Sequence, residues 1–459
     1  MIGKTIQPEI TSLIASRDFV TLRDIFDDWD PADLAEFITD MPDEDQAVVF
    51  RILPHKLALE AFENLEPETQ KTLLKAMGRE QVAAILNDMA PDDRTALLEE
   101  LPGPVAKQLL QRLTAEERAV AQRLMGYPEN SIGRKMTPDY IAVRRDWSVK
   151  GVLDFIREHA EDAETLNFIY VVDEKGILVD DIRIGEFLVA PLTMTVSDLM
   201  NDTFIALPVR ADQETAVAEF KKYNREALPV VDSSGHLVGI VTVDDVLDIA
   251  EEEVTEDIQK LGGMEALEEP YLTSSLKTMV RKRAGWLVIL FVGEMLTATA
   301  MGYFEGAIAR AVVLALFVPL IISSGGNSGS QAATLIIRAM ALGEVTLVEW
   351  WKVMRREIVA GLLLGCILGA IGFLRIALWS TVSNVYGEHS LLVAATVGIS
   401  LVGVVLWGTL SGSMLPFLLK RLGADPATSS APFVATMVDV TGLVIYFSVA
   451  LLLLRGTLL

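Results

Sequence analysis

The spacing of apolar and polar residues predicts short amphipathic helices over residues 1–130. The helical stretches are separated by breaks that each contain a proline, at Pro42, Pro67, Pro91 and Pro102. Proline fits the first turn of a helix and terminates the helix before it. We therefore predict an all-α domain, either a superhelical array whose helices each bury one face on a neighbour or a plain helical bundle.

The pattern changes after residue 130 to short apolar strands alternating with helices. An apolar strand at 167–173 is followed by a glycine turn, and the same order recurs with a strand at 227–232. Runs of β-branched residues bounded by turn residues are typical of strands. Residues 131–250 are therefore predicted to contain a duplicated β-α-β-β-α unit, which makes this a tandem α+β domain.

The next segment, 244–270, is predicted to begin with an acidic helix, because its first base is Lys260. Residues three and four apart on a helix are neighbours, and like charges at that spacing repel by a few tenths of a kcal/mol. Divalent cations would relieve this repulsion, whereas a solvated run of charges is the alternative. Asp245, Asp248, Glu252 and Glu256 would form one stripe along this helix, and Glu253, Glu256 and Asp257 would cluster near its end.

Apolar runs dominate the rest of the chain, 271–459, and predict five membrane-spanning helices. About 20 apolar residues are needed to cross the hydrocarbon layer. Lysine and arginine accumulate in cytoplasmic loops, so the bases before the first run and between later runs place the N-terminus in the cytoplasm and the C-terminus outside. The runs are 284–304, 311–337, 357–379, 391–418 and 431–454.

Composition and charge support this division of the chain. Of 459 residues 51% are hydrophobic, yet the net charge is −24. Divided at Pro270, the chain has a net charge of −29 before the boundary and +5 after it. The acidic part is unsuited to binding nucleic acid. No signal peptide pattern is found, so we expect the N-terminal part in the cytoplasm. The absence of P-loop, nucleophile-elbow and HExxH motifs argues against an enzyme.

Two polar features inside the apolar runs are candidates for an ion path. Asp439 lies well inside the fifth run, where a charged group is costly and is a functional candidate by default. The alternative is a structural aspartate bonded to a Thr or Arg of another helix. The second run carries glycines and polar residues, including Asn327, from Ser323 to Gln331. This stretch indicates either an irregular pore lining with free carbonyls or close packing of small residues.

These features together resemble the MgtE family of magnesium channels over essentially the whole chain. The second α+β unit, LPVVDSSGHLVGIVTVDDVLDI, resembles a cystathionine-β-synthase (CBS) module. The stretches SGGNSGSQAATLIIRA, LPFLLKRLGADPATSSAPFVATMVDVTG and VTVDDVLDIAEEEVTEDIQKL resemble the family in residues and order. The resemblance implies a multidomain membrane protein with a superhelical N-terminal domain, tandem CBS domains, a plug helix and five transmembrane helices.

The resemblance also implies roles for individual residues. It implies a homodimer in the lipid bilayer with Asp439 at the ion-selecting position and the carbonyl of Ala435 beside it. The resemblance assigns the binding of regulatory Mg²⁺ to five acidic residues of the plug helix: Asp245, Asp248, Glu253, Glu256 and Asp257. Departures in the first CBS module leave ATP binding there open. Further candidate regulatory ligands are Asp212, Glu214, Glu66, Asp88, Asp92 and Asp93.

The expected function is therefore magnesium uptake across the cytoplasmic membrane by a channel that cytosolic Mg²⁺ closes. Hydrated Mg²⁺ prefers oxygen ligands, which the acidic residues and carbonyls supply. Two alternatives stay open. The chain could transport another divalent cation, such as Mn²⁺ or Co²⁺, or its helices could only anchor a CBS nucleotide sensor.

Overall fold

The computed structural model shows two units, Met1–Glu251 and Glu252–Leu459. The sequence boundary proposed at Pro270 lies outside the described residues. The structure describes residues 2–267, 271–272, 274–387 and 389–458.

The first unit begins with a series of short helices that start where the prolines predict. Pro31, Pro67 and Pro91 occupy the first turns of α3, α6 and α8. Helices two apart in the chain pack together, as α2 does with α4 and α4 with α6, which is the packing of a superhelical array. The helices are α1 Ile2–Ser16, α2 Phe19–Phe26, α3 Pro31–Thr39, α4 Asp43–Ile52, α5 His55–Glu63, α6 Pro67–Ala76, α7 Arg79–Asp88, α8 Pro91–Glu100, α9 Gly103–Leu110 and α10 Ala115–Leu124.

The predicted duplication is present as two three-stranded sheets. In each sheet the first strand is parallel to the second, and the second is antiparallel to the third. The first module contains β1 Ala142–Arg144, α11 Val149–His159, β2 Phe168–Val172, β3 Leu178–Arg183, α12 Ile184–Val189 and the short α13 Val196–Leu199. The second contains β4 Leu207–Pro208, α14 Glu214–Tyr223, β5 Ala227–Val231 and β6 Leu237–Thr242.

The acidic helix α15 follows β6 directly and runs without a break over Val243–Leu261. It ends at Gly262 and Gly263, and Gly263 has a φ of +74°, a conformation that favours glycine.

The second unit has, among its described residues, five helices long and apolar enough to cross a membrane. The last four of these helices pack on one another, and the first packs on the last. The predicted fold class is confirmed by these helices and the domains before them. The helices are α16 Leu276–Tyr303, α17 Glu305–Arg310, α18 Val318–Ala341, α19 Trp350–Trp379, α20 Ser390–Arg421 and α21 Ala431–Leu453.

The glycines of the second span pack helices together instead of breaking the backbone. The whole of Val318–Ala341 is α-helical, so the irregular pore lining with free carbonyls is wrong. A Cβ added at Gly412 of α20 would lie 2.0 Å from the Gly329 carbonyl oxygen, and one at Gly408 would lie 2.4 Å from the Gly325 carbonyl oxygen. Small residues permit this close approach, which stabilises the pair through van der Waals contact.

Candidate ion path and ion-sensing site

Asp439 lies in the middle of α21, at a point where three membrane helices meet. Gly326 of α18 faces it closely, because a Cβ added there would lie 3.6 Å from Asp439 Oδ1 and 3.4 Å from the Ala435 Cβ. Glu294 of α16 is near enough for its charge to repel that of Asp439. The structure therefore brings Asp439 and Ala435, one helical turn apart, against the glycine face of α18.

The position of α21 is fixed by hydrogen bonds on either side of Asp439. Ser330 Oγ donates to the Ala431 carbonyl at 3.0 Å, and Trp407 Nε1 donates to Thr441 Oγ1 at 2.8 Å. Among the described residues, no other helix donates a hydrogen bond to the Asp439 carboxylate. The carboxylate oxygens are thus held in place by the helix and remain available as ligands.

Asn327 belongs to a polar stripe along the open face of α18. Ser323, Asn327 and Gln331 are spaced four apart and are exposed in the single chain, and Asn327 Nδ2 donates to Ser323 Oγ at 3.4 Å. Polar groups at membrane depth need a protein or water partner. Asn327 adjoins Gly326 in the sequence, the glycine that faces Asp439.

A second acidic site joins the start of α8 to the start of α15 within the first unit. Asp92 and Asp93 in the first turn of α8 repel Asp245 in the first turn of α15. Burial, followed by repulsion from neighbouring carboxylates, raises the pKa of Asp93 to about 8. Burial also raises the pKa of Asp245, to about 7, against the hydrogen bond that Thr242 Oγ1 donates at 2.8 Å.

Asp92 is the most buried member of this acidic cluster, with 7% of its surface exposed. Burial and the charge of Asp245 raise its pKa well above the usual value. Raised values at adjacent carboxylates are typical of functional sites, because the charged forms need a cation or protons. Within the described residues, no three His, Cys, Asp or Glu side chains are already arranged to hold a metal ion.

The remaining predicted regulatory residues occupy several places in the fold. Asp88 Oδ2 lies 2.8 Å from His55 Nε2, and Glu66 is exposed at the start of α6. Asp212 Oδ1 accepts a hydrogen bond from the Glu214 backbone N–H at 3.0 Å, at the start of α14.

The other predicted regulatory residues on α15 lie along the helix beyond Asp245. Asp248 is exposed, whereas Glu253, Glu256 and Asp257 are half-buried. Glu256 pairs with Lys260.

Sequence reasoning missed three members of the acidic cluster: Glu63, Glu164 and Asp244. Glu63 and Glu164 repel Asp93, and Asp244 repels Glu164. Glu63 Oε1 also accepts a hydrogen bond from the Ala90 N–H at 3.0 Å, immediately before α8. Asp244 adjoins Asp245 in the sequence, which was an available signal; the other two are brought in only by tertiary packing.

Comparison with known protein families matches three parts of the chain. The MgtE model, described as a divalent cation transporter, matches residues 318–449. The MgtE intracellular N domain matches residues 29–130, and the CBS domain matches residues 196–252. The first of these covers α18 to α21, including the polar stripe and Asp439.

Two curated relatives are similar over nearly the full length. The magnesium transporter MgtE of Thermus thermophilus is 40% identical over 444 residues, 96% of this chain and 96% of that protein. The magnesium transporter MgtE of Bacillus subtilis is 30% identical over 436 residues, 95% of this chain and 93% of that protein.

Two solved structures resemble the soluble part. The cytosolic domain of a Mg²⁺ channel MgtE in complex with ATP has 35% identity and a TM-score of 0.51, covering 52% of this chain and 98% of its own. The soluble part of a magnesium transporter has 25% identity and a TM-score of 0.52, covering 55% of this chain and 99% of its own.

Proposed function

This chain belongs to the MgtE family of magnesium transporters, and from that premise we propose that it is a magnesium-selective channel closed by cytosolic Mg²⁺. The family is non-enzymatic, as the sequence predicted. The observation that carries the proposal is the position of Asp439, a membrane-embedded carboxylate beside the glycine face of α18. The domain limits predicted from the sequence stay predictions.

The pore chemistry rests on oxygen ligands near the centre of the membrane unit. Mg²⁺ demands octahedral oxygen coordination and gives up its water reluctantly. The Asp439 carboxylate and the Ala435 carbonyl, with Asn327 on the adjacent helix face, would bind the hydrated ion through its water shell. Binding through water is weak enough to release the ion and charged enough to select a divalent cation.

A homodimer is the assembly that we propose for this pore. Among the described residues of α16 no side chain is fully buried within one chain, and the polar stripe of α18 is exposed. A second copy would cover such surfaces and contribute a second Asp439 to a shared path. We also propose that the chain lies in the inner membrane, with its N-terminus in the cytoplasm and its C-terminus outside. Lysine and arginine accumulate on the side of the spans where the N-terminal domain lies, and cytoplasmic loops are enriched in these bases.

Gating is proposed to depend on the acidic cluster around Asp92, Asp93 and Asp245. Their raised pKa values reflect the free energy required to charge them together. Bound Mg²⁺ would neutralise them and hold α8 against α15; without it, repulsion favours separation. This is a population shift caused by stronger ion binding to one state. The other predicted regulatory residues on α15 would extend the same response toward the membrane.

A charged contact between the two CBS modules bears on whether ATP could bind there. Arg225 Nη1 lies 2.9 Å from Asp181 Oδ2, and the guanidinium lies 4.6 Å from the centre of the Phe168 ring. A nucleotide phosphate bound at this contact would have to displace the buried Asp181 carboxylate first. The contact does not fit an anionic ligand in this arrangement. ATP binding at the CBS modules stays a prediction.

The proposed function is tested by magnesium flux into liposomes that contain the full chain. Flux should be high when Mg²⁺ is low on the side of the N-terminal domain and should fall when it reaches millimolar levels there. Excess Mn²⁺ or Co²⁺ should compete weakly. Flux that does not respond to Mg²⁺ would reject the gating, stronger transport of Mn²⁺ or Co²⁺ would reject the selectivity, and no flux of any ion would favour a membrane-anchored sensor.

A further inference from the structure

The end of α15 is joined to the loop before α21 by an ion pair. Lys260 Nζ lies 2.7 Å from Asp425 Oδ2 and also pairs with Glu256, one turn earlier on α15. All three side chains are partly buried, and the Lys260 side chain is 24% exposed. Burial opposes the charge of Lys260, but the hydrogen bonds to Asp425 and Glu256 are stronger and raise its pKa above the usual range.

The second carboxylate oxygen of Asp425 stabilises the turn that precedes α21. Its Oδ1 accepts a hydrogen bond from the Ala427 N–H at 2.8 Å, which caps the single 3₁₀ turn at Pro426–Thr428. Ser430 follows that turn and caps α21 by accepting from the Phe433 N–H at 3.3 Å. One carboxylate therefore binds both the end of the acidic helix and the turn that leads into the pore helix.

A second contact lies beside the ion pair. Gly263 rests on the first turn of α21, since a Cβ added there would lie 3.2 Å from Pro432 Cγ and 3.4 Å from Ser430 Oγ. Leu261 packs against the apolar core of the membrane unit. A charged contact and a van der Waals contact thus hold the C-terminal end of α15 on the N-terminal end of α21.

We propose that Lys260 is a positioning residue, which couples the acidic helix to the pore helix through Asp425. This deepens the proposed gating and rests on it. Asp439 lies eight residues beyond Ala431 on the same helix, about 12 Å along its axis. A displacement of α15 that is carried through Asp425 and Pro432 therefore moves the start of a continuous helix that carries the Asp439 carboxylate.

Lys260 also acts as a built-in cation for Glu256 and Asp425. Its ammonium group pairs with both carboxylates and offsets one of their two negative charges without a metal ion, so this contact persists when Mg²⁺ is low. The contact is suited to transmit movement in both the open and the closed state, in contrast to the acidic cluster, whose carboxylates would be neutralised only when Mg²⁺ is bound.

The first test compares Lys260→Gln with Lys260→Arg, which keeps the positive charge, in liposome flux. Lys260→Gln should raise the Mg²⁺ concentration that half-closes the channel by roughly two- to fivefold, the range for a partly exposed ion pair. Flux at low Mg²⁺ should stay unchanged. Lys260→Arg should keep the half-closing concentration near that of the wild type, because it retains the cation and leaves the Asp425 cap intact. Lys352→Gln is the matched control, because Lys352 pairs with Glu349 and is 80% exposed.

Equal half-closing concentrations for Lys260→Gln and the control would overturn the inference, as would flux lost already at low Mg²⁺ with normal expression. If flux through the wild type does not respond to Mg²⁺, the gating proposal fails. The contact between Lys260 and Asp425 is then tested separately by thermal unfolding in detergent. Lys260→Gln and Asp425→Asn should then have non-additive effects. Additive effects would show that the two side chains do not interact, whatever the channel does.

Discussion

At the residue scale, the informative positions are carboxylates in places where charge is unfavourable. Asp439 lies in a helix that is otherwise almost entirely apolar, and Asp92 is nearly fully buried. Neither residue has a basic partner that neutralises it among the interactions found for the described residues. Such groups bind protons or cations, and both proposals follow from this: selection of Mg²⁺ at Asp439 and sensing of Mg²⁺ at the acidic cluster.

The acidic cluster predicts that stability depends on pH. Asp93 and Asp245 have pKa values of about 8 and about 7 in the fold, above their value in an unfolded chain. The folded state therefore binds more protons, and its stability should fall as pH rises toward 8 and then level off. In EDTA, the full chain in detergent should melt at a lower temperature at pH 9 than at pH 6.

Replacement of the carboxylates supplies the control for this measurement. Asp93→Asn should reduce the pH dependence, whereas Asp33→Asn, at an exposed position of α3, should leave it unchanged. Magnesium should restore the melting temperature at pH 9 in the wild type. A melting temperature that rises between pH 6 and 9 without Mg²⁺ would contradict the assignment.

At the element scale, the acidic helix and the glycine-rich helix show how far sequence alone could lead. The run of charge that ends at Lys260 predicted α15, and the structure places that helix at Val243–Leu261. The glycines of the second span were ambiguous, because the same residues suit an irregular pore and close helix packing. Only the partner glycines on α20, about eighty residues later in the sequence, decide it. Sequence order does not reveal such partners, nor the approach of Glu63 to Asp93.

Because α18 and α20 pack closely, one added methyl group between them should strongly lower stability. Gly412→Ala would place its Cβ 2.0 Å from the Gly329 carbonyl oxygen, so one helix must move away. Overpacking typically destabilises by about 1–3 kcal/mol. The variant should therefore melt earlier in detergent than the wild type.

Gly302→Ala is the matched control on a membrane helix. An added Cβ at Gly302 of α16 meets nothing within 4 Å, and alanine favours helix formation more than glycine does. This variant should melt at or above the wild-type temperature. Equal melting temperatures for the two variants would show that α18 and α20 are not packed through their glycines.

At the scale of the whole molecule, the proposed sensing and the proposed conduction fall in different units. The first unit contains most of the acidic residues and the acidic cluster, whereas the second contains the membrane helices and Asp439. The continuous helix α15 belongs to both, and its last residues are fastened to the loop before α21 by Lys260. The division of charge along the sequence predicted these two parts; the fastening depends on Asp425, 165 residues further along, and had no sequence signal.

The proposed conduction of Mg²⁺ follows a path that includes the Asp439 carboxylate. The most direct measurement is Mg²⁺ uptake into liposomes that contain equal amounts of wild type or Asp439→Ala, with low Mg²⁺ on the side of the N-terminal domain. We predict rapid uptake by the wild type and uptake near the protein-free background for Asp439→Ala. Uptake by Asp439→Ala at the wild-type rate would contradict the account.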